Sequence, residues 1–500
     1  MANQRIPAVK SNNSRRVEWL LFLILVIAFS YFFPRWADWS QNSRLDLTLA
    51  IVDKGTLSID DYYTNTGDYA LFEGVHYTDK APGPSLLAVP VYAALRPILR
   101  SAPMQSLLER VANNPAFAGT LEEGGTGLQT EKIYNAAVLY VITFATSVIP
   151  SAILGVWMFS FLLRIGTSEA WSALIVLIYG LGTSAFAYAG AFFSHQLVAF
   201  LLFGAFYIGF RLHRREISPR WVAAAGLMMG YALISEYPTF LIAAGIFLYI
   251  VFVLWNLPGG TARRWIAGLI AGGIPPGLIL IAYDMAIFNN PLPIGYTFSE
   301  NYTELHSTGF LSLTLPHLDA LLGITFSTYR GLFFVAPVLL LAVIGFWLWG
   351  REGKTTRGAW AVCLWATVAF ILFNGSSIMW EGGWSIGPRY LVPMLPFLAV
   401  ALGAFARRWG ALLWARVLVA VLTVWSVFVV WAETIAGQNY PGWDTNPLTN
   451  ISLPLLASGD VARNLGMIVG LKGLATLIPL IVVLLVMFGL LVRELPKKAP

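Results

Sequence analysis

The sequence predicts an all-α integral-membrane protein of about twelve transmembrane helices, with a large first external loop that carries juxtamembrane helices. Three observations point there. Hydrophobic residues make up 57% of the 500-residue chain and charged residues only 12%, with a mean hydropathy of +0.68. Apolar runs of about twenty residues recur throughout, each able to cross a hydrocarbon core of about 30 Å. Backbone polar groups cannot stay unpaired in lipid, so these runs are read as helices, and the alternation of a membrane barrel is absent.

The expected spans are Val17–Phe33, Tyr134–Leu163, Ala170–Ala189, His195–Leu212, Trp221–Ile234, Phe240–Leu257, Trp265–Phe288, Gly331–Trp349, Trp360–Phe373, Tyr390–Phe405, Ala411–Trp431 and Leu474–Val492. Basic residues cluster at Arg15–Arg16, Arg211 to Arg220, Arg263–Arg264, Arg351 to Arg357, Arg407–Arg408 and Arg493 to Lys498. Twelve spans put all six clusters, and both termini, on the cytoplasmic side. A thirteenth span at Ser85–Leu99 would break that alternation. This fifteen-residue segment, with Pro90 and Pro97, is therefore expected to lie along the outer interface as an amphipathic helix. The chain then divides into a tail and first span (1–33), an external loop with interfacial helices (34–132), and a multi-spanning region (133–500) with external loops 289–330, 374–389 and 433–472. A short helix is expected near Met104–Val111.

The net charge of +6 comes from bases scattered over many short loops, which fits positive-inside topology and not nucleic-acid binding. The single cysteine, Cys363, lies within an apolar run and excludes an internal disulfide. The first apolar run ends in YFFPRWADWS, without a small-residue cleavage site, and reads as an uncleaved span. Within the spans there are almost no charges; Glu236, Asp284, Arg330 and Arg389 fall at outer ends. Ion-coupled transporters keep ionisable groups at mid-bilayer depth. The distribution favours chemistry at the outer membrane boundary over transport, the alternative being a transporter or flippase.

The acids concentrate in Ser43–Pro84, which holds Asp46, Asp53, Asp60, Asp61, Asp68, Glu73 and Asp79 beside Arg44, Lys54 and Lys80. Arg44 to Lys54 reads as a short helix that Gly55 ends, with Asn42, Asp46 and Asp53 on one strip and Leu45, Leu49 and Val52 on a neighbouring one. Further on, Gly74-Val-His-Tyr77-Thr-Asp79-Lys80-Ala-Pro-Gly-Pro84 places a lysine between an acid and a stiff proline turn. A held ammonium at an interface suits a phosphate. Arg330 and Arg389 could take further phosphate oxygens, or anchor at the interface. Trp380, Glu381 and Trp384 lie in a glycine-rich outer turn where aromatic faces could stack on sugars or form an interfacial belt. His195 opens a span and reads as a hydrogen-bonding residue; His306 and His317 lack metal-ligand spacing.

The order Arg44, Gly55, Gly74, Tyr77, Asp79, Lys80, Pro82 after a first span resembles the GT-C superfamily of membrane glycosyltransferases, in the branch of lipid A aminoarabinose transferase and the protein mannosyltransferases. The motif covers the N-terminal quarter; GYTFSENY, STYRGLFFVAP and MWEGGWSIGPRYLVPMLPF are similar to later family segments. The resemblance implies a polyprenyl-phosphate-linked sugar donor, an external carboxylate as base, and cations on the leaving phosphate. It makes 34–132 a catalytic loop in a multi-pass protein of the bacterial plasma membrane, active on the external face. The acceptor could be a lipid, a glycan or a protein. Lys80 matches the family's phosphate lysine and Asp79 the acid before it. Arg44, Arg330 and Arg389 complete the donor-phosphate candidates; Tyr77, His195, Trp380, Glu381 and Trp384 are the substrate-binding ones. The family's paired acids before the loop arginine are missing, since Trp39, Ser40, Gln41, Asn42 and Ser43 stand there. The base is thus sought first at Asp46, then at Asp38 and Asp60. No cofactor is required, though clustered acids would permit a divalent metal.

Overall fold

The computed structural model describes residues 12–35, 37–115, 131–257, 260–291, 295–310, 312–437, 440–442 and 444–496. Parts of the three long loops expected at 34–132, 289–330 and 433–472, the EEGGTG stretch among them, lie outside the described residues. The chain is overwhelmingly helical. Among the described residues, eight helices are long and apolar enough to cross a membrane, by length and composition: Lys132–Arg164, His195–His213, Tyr237–Trp255, Ala262–Phe288, Arg357–Asn374, Arg389–Trp409, Leu413–Ala436 and Gly473–Glu494. Several turn apolar side chains outward; Val421, Val424, Leu485 and Val492 are all more than half exposed. Water would not tolerate such a surface and lipid would, so the chain is an integral membrane protein.

These eight match eight of the twelve expected spans. Of the other four, one carries three charged residues near its start and three are shorter or divided. The first is α1 (Asn12–Ser30), which buries Val17, Leu21, Ile24, Leu25 and Ala28 along one stripe. Trp221–Ile234 forms the helix Val222–Ser235. Ala170–Ala189 divides at Gly182 into Glu169–Leu181 and Ala185–Ala189. Gly331–Trp349 divides at Ala336, which precedes Pro337 and takes φ −134°, ψ 68°. The proline ring excludes the helical region at that position. Small residues bring the helices Val222–Ser235 and Ala262–Phe288 together: a Cβ on Gly226 would overlap the Leu269 carbonyl, and one on Gly272 the Ala223 carbonyl.

The first external segment is built from α2 (Trp39–Leu49), the hairpin β1 (Tyr69–Phe72) and β2 (Val75–Thr78), α3 (Gly83–Leu99) and α4 (Ala102–Ala112). Helix α2 continues through a wide turn, Ala50–Lys54, and stops at Gly55, whose φ of 68° no side-chain-bearing residue adopts cheaply. Leu45 and Leu49 pack with Ala88 and Tyr92 of α3 and with Tyr134 and Val138. Asp53 ties these parts together: it pairs with Arg96 at 2.6 Å and accepts from the Tyr92 hydroxyl at 3.0 Å. It is a strut between α2 and α3.

Candidate active site

Helix α2 has its polar face inward. Ser40, Gln41, Asn42, Ser43, Arg44, Asp46 and Thr48 are all buried, so their polar atoms need partners. Asp38 caps the helix, accepting from the Gln41 amide at 3.0 Å. The Gln41 side chain accepts from the Phe192 amide at 2.7 Å, docking the helix on the segment that leads to His195. Asn42 donates to the Asn65 carbonyl at 2.9 Å and Asn65 in turn to Asp46 at 3.0 Å. Arg44 spends Nη1 on its own helix, at the Ser40 carbonyl and hydroxyl. Its guanidinium lies over the Phe193 ring, 5.9 Å from the centroid.

The hairpin supplies the second part. Its two-residue turn is Glu73–Gly74, both with positive φ (50° and 82°), the geometry whose twist matches paired strands. Register follows: Tyr69 faces Thr78. That brings Asp68, just before β1, to Asp79, just after β2, and Lys80 closes on both. Its Nζ is 2.9 Å from Asp68 and 3.1 Å from Asp79. Ser299 donates to Asp79 at 3.2 Å, and the Tyr296 ring lies 5.6 Å from the ammonium. Burial would raise the Asp68 carboxyl, but Lys80, Arg389 and Arg44 outweigh it and hold it below its ordinary value. Asp79 goes the other way: burial and the neighbouring Asp68 push it up against Lys80. Burial would lower the Lys80 ammonium; Asp68 and Asp79 raise it instead.

The third part comes from three segments distant in sequence. His195 opens the helix His195–His213. Its Nδ1 is 2.9 Å from Glu236, which also accepts from Ser194 at 2.9 Å. Burial would raise Glu236; His195, Ser194 and Arg44 together lower it. The His195 ring stacks on Phe193 at 5.5 Å and meets Tyr390 edge-on at 5.9 Å. Arg389 lies 5.4 Å from the Phe193 centroid and 4.9 Å from that of Tyr390. Phe193 is thus the hub on which Arg44, His195 and Arg389 meet. Among the described residues, Arg44 Nε, Arg389 Nε and His195 Nε2 are buried nitrogens without a hydrogen-bond partner. A cavity alongside is lined by Arg35, Asp38, Gln41, Tyr188, Phe193 and Trp384. Burial pushes the Asp38 carboxyl up there, opposed by Arg389.

The remaining candidates sit elsewhere. Asp46 is fully buried against Asn65, away from the cavity, and burial pushes its carboxyl well above the ordinary range. Asp60 pairs with His76 at 2.7 Å on the outer side of the hairpin. Tyr77 packs toward Phe288 in the aromatic cluster under the hairpin. Trp380 covers Gly323 and meets Tyr329. Arg330 is fully buried and engages all three nitrogens: Nε with the Glu381 carbonyl at 3.2 Å, Nη1 with that of Ser385, and Nη2 with those of Gly383 and Tyr440, both at 2.9 Å. Glu381 takes part through its backbone. Trp384 is half exposed at the cavity mouth. Among the described residues no three His, Cys, Asp or Glu side chains are placed to hold a metal. The two acids that do converge, Asp68 and Asp79, have Lys80 between them, a donor set unsuited to a divalent cation. The places of Asp68 and Glu236 in the site are not legible in the sequence: one is delivered by hairpin register, the other by contact across 41 positions.

No protein-family model and no curated protein sequence matches the chain. In overall fold it is similar to ArnT from Cupriavidus metallidurans in the apo state, with 15% identity and TM-score 0.48 over 97% of this chain and 74% of that one. It is similar to the same protein bound to undecaprenyl phosphate, with 14% identity and TM-score 0.49 over 96% and 74%. The archaeal oligosaccharyltransferase AglB from Archaeoglobus fulgidus, in complex with an inhibitory peptide and a dolichol-phosphate, is similar at 10% identity and TM-score 0.42 over 84% and 55%.

Proposed function

We propose that the protein is a glycosyltransferase that moves a sugar from a polyprenyl-phosphate-linked donor to a hydroxyl of a lipid, glycan or protein at the non-cytoplasmic face of the membrane. The observation that carries this reading is the meeting of Arg44 and Arg389 on Phe193, each with an unpartnered buried Nε, next to the Lys80–Asp68–Asp79 cluster. Buried donors without partners are costly to a fold, and a phosphate oxygen would satisfy them. Arg44 and Arg389 hold the donor phosphate, and their charge stabilises it as it departs. Lys80 is the third cation, held in place by two carboxylates.

The basic clusters support the external placement in this reading. Arg389 and His195 open helices whose far ends carry Arg407–Arg408 and Arg211. The site lies at the end opposite the basic loops, which supports an external site under the positive-inside rule. In this reading the sugar and the acceptor meet beside the Phe193 ring, and the apolar flanks of the helices take the prenyl chain.

The test uses full-length protein in vesicles, a panel of undecaprenyl-phosphate hexoses labelled in the sugar, and a membrane extract as acceptor source. Label should become covalently attached to an acceptor. If the lipid crosses the bilayer and no sugar is ever transferred, the flippase reading replaces this one.

A further inference from the structure

We infer that the general base of this site is His195, presented by Glu236, and not an aspartate. The inference rests on the transferase reading and supplies the group that reading requires to take the acceptor's proton.

The aspartates of the first external segment that could serve as base each hold a contact within the fold. Asp46 accepts from Asn65 through Oδ1 and keeps a buried, unpartnered Oδ2. Asp60 faces His76 outside the cluster. Asp79 is held by Lys80 and Ser299, and Asp68 by Lys80. Asp38 caps α2 through the Gln41 amide. His195 differs in sharing the Phe193 ring with Arg44 and Arg389. Its Nδ1 faces a carboxylate oxygen of Glu236 at 2.9 Å. A carboxylate only accepts, so Nδ1 carries a proton toward Glu236, and in the neutral tautomer the lone pair is then on Nε2. That Nε2 is buried and has no partner among the described residues, and the side chain is 4% exposed. The ring cannot swing away. Phe193 stacks on it, while Tyr188 and Tyr390 meet it edge-on at 5.6 Å and 5.9 Å.

The charges around it suit the role. Glu236 compensates the imidazolium as it forms, and Arg44 acts on Glu236 in turn. Arg44 and Arg389, on the same Phe193 ring, keep the phosphate next to the base. In the transfer step the acceptor oxygen bonds to the anomeric carbon while its proton passes to Nε2. The bond from that carbon to the phosphate oxygen breaks, its electron pair staying on the phosphate. The imidazolium then returns its proton to solvent or to the departing phosphate. No other reactant is needed.

The experiment compares wild type, His195→Gln and Glu236→Gln as full-length protein in vesicles, using labelled undecaprenyl-phosphate hexoses for transfer and undecaprenyl phosphate for binding. His195→Gln keeps a donor toward Glu236 but cannot accept a proton; kcat should fall by about 10²–10⁴-fold with undecaprenyl phosphate affinity within about threefold of wild type. Glu236→Gln should lower kcat by at least about tenfold with donor KM unchanged, as expected of a group that orients the base. Transfer by His195→Gln within about fivefold of wild type places the base elsewhere and overturns the inference. So does a loss of transfer matched by an equal loss of undecaprenyl phosphate binding, which would make His195 a phosphate ligand. If wild type transfers no sugar at all, the transferase reading itself falls and this inference falls with it.

Discussion

Arg330 and Arg389 occupy equivalent places in the sequence, each at the outer end of an apolar run and each beside an aromatic residue, Tyr329 and Tyr390. The fold uses them in opposite ways. Arg330 is enclosed, with every nitrogen on a carbonyl or a hydroxyl, and it fastens the 381–385 turn to Tyr440. Arg389 donates to the Tyr390 hydroxyl at 3.2 Å and keeps a buried Nε in reserve over Phe193. A satisfied guanidinium holds a structure together; the unsatisfied one, beside two other unpartnered nitrogens, is where we propose that the phosphate binds.

That contrast can be broken by substitution. The largest effect should come from Arg330→Ala, which strands the carbonyls of Glu381, Gly383, Ser385 and Tyr440. A loss of roughly 3–5 kcal/mol in stability is expected, read as a lower unfolding temperature in detergent. Arg389→Ala should leave that temperature nearly unchanged and lower sugar transfer by about 10²–10³-fold. If the two variants exchange behaviours, the assignment of clamp and ligand site is reversed.

A pH effect sharpens the role of the Lys80 cluster. The Asp68 carboxyl is held below its ordinary value, chiefly by Lys80 once burial is overcome. Its stabilising contribution is therefore complete above the ordinary carboxylate range and is lost as pH falls through the lowered value. Asp68→Asn should flatten the acid side of the unfolding-temperature profile; an unchanged profile would show that the pair contributes nothing. The smallest effect is expected from Gly74→Val. It forces a β-branched residue to φ near 82° in the hairpin turn, at a cost of about 1–2 kcal/mol. Because the turn sets the register that joins Asp68 to Asp79, transfer should fall along with stability.

These residues also show what could be read from the chain alone. The helix ended by Gly55 and the α4 helix were legible because they depend on local spacing and composition. Asp79 with Lys80 was legible as a motif. Its partner Asp68 was not, because the link is a strand register set by the Glu73–Gly74 turn. His195 stood out only as a polar residue at a span end; its meaning needed Glu236 and the partnerless Nε2. Nothing near Arg330 in the sequence revealed that four carbonyls from two other loops would surround it. Eight expected spans coincide with unbroken helices, whereas those at 170–189 and 331–349 divide at Gly182 and at Ala336–Pro337.

The most direct measurement is a structure of the full-length protein with undecaprenyl phosphate. The phosphate should lie within hydrogen-bond reach of Arg44 Nε and Arg389 Nε, beside the Phe193 ring. A phosphate bound at Arg330, or anywhere that leaves those two nitrogens unpartnered, would contradict the account.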